Sequence, residues 1–136
     1  MNFLAREYWQ GFLSAVAGWA SSFFVPIGPF FGIVFFLVIA DMVTGVRSAV
    51  KRKEKISAVG FRRTVEKIVL YALAIFLSEG MRRVFLPFAP VTYITAFAIA
   101  ITEFQSNIEN IEAVTGVRIW KSLKDIFEKY IPGKNQ

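Results

Sequence analysis

The residues of this chain that could do chemistry are few, and most stand inside apolar sequence. Asp41, Thr44, Gly45 and Ser48 fall at helical offsets of zero, three, four and seven within the apolar run Ile33–Val50, so they share one narrow arc. An ionisable group in such a run is costly, so it is either partnered in a bundle or lines a wet cavity. The arc therefore has two readings. One is a seam where small residues let backbones approach and Asp41 is tied to a basic group or a helix end. The other is a wet face in an oligomer, or a proton-sensitive switch. Glu103, Ser106, Glu109 and Asn110, at offsets of zero, three, six and seven, make a second polar face. Paired carboxylates can do acid–base work or hold a metal. Here no His or Cys accompanies them, and no phosphate loop, nucleophile motif or metal-ligand spacing is present. An interhelical hydrogen-bond network is the better reading, and neither an enzyme nor a cofactor is expected.

Asp41 and Glu103 belong to the same half of the membrane as Lys67, with Arg62 and Arg63 nearby, which predicts an ion-paired layer at that level. Glu79 precedes Arg82 and Arg83 by three and four residues, the spacing of a local salt bridge on one helix. Thr92, Ala96 and Ala100 form a small-residue stripe, and Gly28 with Gly32 a lone GxxxG; close helix contact is the simpler explanation of both. The stripe and the Asp41 arc together are the candidate oligomer or pore face.

The elements that must position these residues are apolar helices. Of 136 residues 55% are hydrophobic, fifteen are Phe, and only 19% are charged, which leaves too little polar surface for a soluble domain of this size. The charges arrive in clusters beside apolar spans. The net charge of +6 is therefore assigned to topology and anionic lipid rather than to nucleic acid. Four spans are expected, at about 9–25, 30–47, 67–83 and 86–103, in a transmembrane domain over 1–116. Residues 117–136 follow as a cytoplasmic amphipathic helix and tail, frayed from Pro132 onward.

Gly11–Val25 has the length of a signal-peptide core, but the residues before it are barely basic and further spans follow. Pro26-Ile27-Gly28-Pro29 reads as a tight turn joining the first two segments into a hairpin. The stretch Arg47–Lys67 holds eight of the sixteen Lys and Arg residues, among them Lys51, Arg52, Lys53, Lys55, Arg62 and Arg63, against two acids. It is placed in the cytoplasm, in contact with lipid headgroups. An even number of crossings then puts both termini inside, and three crossings with the first helix on the surface is the alternative. Gly116 stands where a helix C-cap is expected. The fold class is all-α: an integral membrane bundle of three or four transmembrane helices plus the C-terminal amphipathic helix.

Taken in order, these motifs resemble the toxin-secretion/phage-lysis holin family. They are an apolar helix ending D-x-x-T-G (Asp41, Thr44, Gly45), then Ala49, a Lys/Arg run with Ser57 and Gly60, Lys67 opening the next span, and E-x-x-S-x-x-E-N (Glu103, Ser106, Glu109, Asn110) before Gly116. The resemblance covers about residues 30–118, and Glu79 matches no family position. It implies a bacterial inner-membrane protein that forms homo-oligomers and opens lesions at a set time. A released endolysin or toxin would pass through without a specific contact. It also implies that Lys67, Glu103, Ser106, Glu109 and Asn110 act as one polar network. The competing classes are a non-lethal oligomeric channel or membrane scaffold of an envelope or export machine, and an accessory subunit whose C-terminal helix recruits a soluble partner.

Overall fold

A computed structural model describes residues 3–130 of the chain, with side chains from residue 6. The frayed tail expected from Pro132 lies outside the described residues. Four α-helices follow one another: α1 (Phe3–Lys51), α2 (Ala58–Val84), α3 (Val91–Thr115) and α4 (Ile119–Tyr130). Contacts fix their directions. Asp41 meets Lys67 while Ser22 meets Arg83, so α1 and α2 run antiparallel. Glu79 meets Thr92 while Tyr71 meets Glu103, so α2 and α3 do too. The bundle is thus three helices, α1 to α3, with α1 and α3 parallel.

The expected turn at Pro26–Pro29 is absent: α1 runs through both prolines as one helix of 49 residues. Proline's fixed φ is itself helical, and the cost lies in the missing N–H and the freed carbonyl four residues earlier. For Pro26 that carbonyl is Ser22, and the Arg83 guanidinium of α2 donates to it. The same guanidinium lies 4.9 Å from the centre of the Phe23 ring, and Phe23 packs at 4.8 Å on Phe76 of α2. Ile27, between the prolines, is fully buried with Val34, Val38, Ile75 and Ala96. At Pro26 a tertiary contact thus supplies what the helix loses, as neighbouring helices do for proline in membrane spans.

At about 1.5 Å per residue α1 reaches roughly 70 Å, more than twice the roughly 30 Å of a bilayer core. Among the described residues it is the helix long and apolar enough to cross a membrane by length and composition. Its contacts with the bundle begin at Ser22 and Phe23 and continue to its C-terminal end. From Arg6 to Trp19 every residue is exposed, including Tyr8, Trp9, Phe12, Leu13, Val16 and Trp19.

The segment 85–90 corrects another expectation. Residues 86–90 are expected within the last span but belong to the turn between α2 and α3, with Phe85 N–H bonded to Met81 O and Ala89 N–H to Leu86 O. Val91, after Pro90, opens α3. Gly116 ends α3 as expected, at φ 77°, with its N–H on the Glu112 carbonyl at 2.8 Å. Helix α4 buries none of its residues and is tethered through Trp120 N–H to the Glu112 carboxylate.

The partition of side chains is inverted relative to a soluble bundle. Among the described residues Glu79, Glu103, Asn107, Thr92 and Ser48 are buried beside Ile27, Val38 and Ile75. Leu70, Leu73, Phe76, Tyr93, Phe97 and Ile101 face outward, exposed. A bundle whose outer face meets hydrocarbon gains nothing by hiding such residues, whereas its polar groups must find partners inside.

Candidate functional site

The polar residues of α1, α2 and α3 meet in one seam across the bundle. Asp41 stands at its centre. Its Oδ1 accepts from Ser106 Oγ at 2.6 Å and Asn110 Nδ2 at 3.0 Å, both on α3, while Oδ2 accepts from Lys67 Nζ of α2 at 2.9 Å. The same ammonium donates to Glu103 Oε2 at 3.0 Å, and Tyr71 OH to Glu103 Oε1 at 2.7 Å. Asn107 stitches α3 to α1 by donating from Nδ2 to the Leu37 carbonyl at 3.0 Å. Three helices therefore each supply a charged group, and the seam holds two carboxylates against one lysine. The remaining acceptor capacity is filled by neutral donors, and no buried side-chain polar atom among the described residues lacks a partner.

Helical spacing explains why these residues meet. Asp41, Thr44, Gly45 and Ser48 share the arc read from the sequence, and here it faces α3 of the same chain. Thr44 Oγ1 donates to the Ala40 carbonyl at 2.9 Å and stands 3.4 Å from the amides of both Asn107 and Asn110. A Cβ on Gly45 would lie 3.6 Å from Asn110 Nδ2, an ordinary contact distance, so α1 and α3 pass close here with room for a methyl group but not for a longer side chain. Ser48 is fully buried and accepts from Arg52 Nη1 at 2.7 Å. Lys51 Nζ donates to the Val114 carbonyl at 2.6 Å, placing a cation on the last turn of α3.

Of the five residues implied as a network, Lys67, Glu103, Ser106 and Asn110 join Asp41. Glu109 does not: it is exposed and accepts from Gln105 Nε2 at 3.1 Å. Asn107 takes the place expected of it. Counting offsets of zero, three, four and seven from Glu103, the pattern used for Asp41, reaches Ser106, Asn107 and Asn110 and leaves Glu109 out. Tyr71 was also missed, although it lies one turn beyond Lys67 on the same helix face. Arg62 is not in the ion-paired layer; it pairs with Glu66 on the exposed side of α2 at 2.8 Å. In the connecting loop Arg52 pairs with Glu54 at 2.8 Å, and its guanidinium holds that carboxyl below the usual range. Lys53 there takes a positive φ of 59°, a conformation that side chains disfavour.

Asp41 and Lys67 also border a cleft of about 1060 Å3 between the end of α1 and the start of α2. Ser106 and Asn110 border it from α3, and Arg47, Lys55 and Arg63 line it toward the loop. The Asp41 side chain is 16% exposed and that of Lys67 34%, against 1% for Glu103. Asp41 is thus both partnered and reached from a cavity.

A second polar cluster lies twelve residues along α2 from Lys67, roughly 18 Å at the helical rise. Glu79 is 2% exposed and accepts from Arg82 Nε and Nη2 at 2.8 and 2.6 Å, and from Arg83 Nε at 2.7 Å. Thr92 Oγ1 adds a bond from α3 at 2.9 Å. The local pairing was legible; the links to α3 and, through Arg83, to Ser22 of α1 were not. Thr92 and Ala96 are buried within this chain and Ala100 is half-buried, so the small-residue stripe serves contact among α1, α2 and α3 here.

Among the described residues no three His, Cys, Asp or Glu side chains come together as a metal ion would need. Nothing curated and no solved structure matches the chain. A model of the bacteriophage holin family matches residues 18–131, a stretch that contains the prolines of α1, the seam, the cleft and all of the described structure from residue 18 onward. The chain belongs to the bacteriophage holin family, and it is a membrane protein.

Proposed function

We propose that the protein is a holin-like subunit of the bacterial inner membrane that assembles into homo-oligomers and opens pores or lesions, releasing an endolysin or another folded protein. The observation that carries this reading is the inverted bundle, with a three-helix polar seam inside and an apolar exterior. In a single chain the seam satisfies itself. When many chains reassemble, the same polar arc can line water, because bonds between helices can be exchanged for bonds to solvent at little net cost.

The exposed N-terminal arm of α1 supports assembly. Trp9, Phe12, Leu13 and Trp19 have nothing to cover them in one chain, and such a surface belongs against lipid or another subunit. The continuous α1 favours three crossings, with the basic loop and the C-terminus inside and the N-terminus outside, over the even number first expected.

The test is induction of the protein alone in bacteria while membrane potential and viability are followed, with an endolysin co-expressed in a parallel culture. Abrupt collapse of the potential, death and release of the endolysin are expected. Viable cells containing a small ring of defined size would instead identify a non-lethal channel or scaffold.

A further inference from the structure

The cleft between α1 and α2 carries charge that the chain does not use. Asp41 and Lys67 at its inner end are paired with each other, and Glu54 at its loop end is paired with Arg52. Arg47, Lys55 and Arg63 also line it, and none of them makes a hydrogen bond or ion pair through its side chain among the described residues. Three cations therefore line one opening without an ion-pair partner among the described residues, while the two carboxylates there are already paired. The walls between them are apolar: Val46 on α1, Ile56 in the loop, and Phe61 on α2, all exposed. At about 1060 Å3 the cleft is slightly larger than the usual range of ligand sites, roughly 300–1,000 Å3.

We propose that this cleft binds an anionic phospholipid, its phosphate held by Arg47, Lys55 and Arg63 and one acyl chain laid along Val46 and Phe61. A basic rim beside an apolar wall, where the chain leaves the membrane, is complementary to such a lipid and to neither a free anion nor a zwitterionic lipid. Bound there, the lipid bridges α1 and α2 over the approach to Asp41. The inference rests on the membrane placement of the bundle given above and not on its lethality.

The test uses the full chain purified in a neutral detergent, with binding read by native mass spectrometry against phosphatidylglycerol, phosphatidylcholine and inorganic phosphate. Phosphatidylglycerol should bind in preference to phosphatidylcholine. The triple variant R47Q/K55Q/R63Q should lose about a hundredfold in affinity, at about fivefold per surface cation. The control K121Q/K124Q/K129Q on α4 should stay within about twofold of the parent, since those charges lie outside the cleft. V46W keeps all three cations and fills the apolar wall, so it should also weaken the lipid, with helix content by circular dichroism confirming that each variant is folded. Equal losses in the two triple variants, equal binding of phosphatidylcholine, or full displacement by equimolar inorganic phosphate would each overturn the proposal. Lipid selectivity in a protein that leaves cells viable on induction would sink the lytic reading and leave the cleft standing; lethality without selectivity would do the reverse.

Discussion

The two polar clusters of the bundle use similar residues for different ends. Glu79 is closed: it is 2% exposed, and its charged donors come from its own helix at the third and fourth positions. Only Thr92 and the Arg83 link to Ser22 involve other helices. The Asp41 seam is distributed. Its charges come from three helices, and it opens on a cleft. A carboxylate sealed by its own helix keeps its partners when helices move apart, whereas one partnered across helices must exchange them. The first arrangement is a lock and the second is where rearrangement is felt.

Lys67→Met attacks the distributed cluster most directly, because it strands Asp41 and Glu103 without their shared cation. It should cost about 3 kcal/mol, the lower end for breaking a buried ion pair, since the ammonium is partly exposed; thermal unfolding in detergent reads this. Glu79→Gln should cost about 2 kcal/mol by weakening charged hydrogen bonds, yet leave the time of membrane depolarisation unchanged. A shift in timing as large as that of the seam variants would erase the distinction between lock and switch.

Asp41→Asn should cost about 2 kcal/mol, because it loses the charge pair with Lys67 while the amide keeps an acceptor for Ser106 and the ammonium keeps Glu103. It should also change lysis timing or oligomer size. The Arg83 link is tested by a double-mutant cycle. Pro26→Ala restores the N–H to the Ser22 carbonyl, so Arg83→Ala should cost about 1 kcal/mol less in that background. Gly45→Ala should change stability by less than about 0.5 kcal/mol, since its Cβ meets Asn110 at ordinary contact distance. Gly45→Leu should force α1 from α3 and disturb timing with Asp41→Asn. Unchanged timing and oligomer size in both would remove the arc from the mechanism.

Helical periodicity made the Asp41 arc and the Gly116 cap legible, because each depends on neighbours within two turns; Lys67 was legible from its place at the start of a span. The expectation failed at Glu109 because an offset of six turns a residue about 120° from Glu103 on a helix, and so to the outside. The closed environment of Glu79 could not be read either, since Thr92 joins it from another helix.

By itself the amino-acid order determined that apolar helices carry isolated charges, that the basic loop follows the apolar run Ile33–Val50, and that Asp41 shares its face with Thr44, Gly45 and Ser48. These follow from composition and from the turn of one helix. Only the tertiary structure decided that Pro26 and Pro29 leave α1 unbroken, that two carboxylates share Lys67, and that the arc faces α3 of its own chain. The reason is physical: a freed carbonyl or a buried charge is acceptable or not according to its donor, and the donors stand on other helices, 61 residues away for Ser22 and 26 and 36 for the carboxylates of the seam.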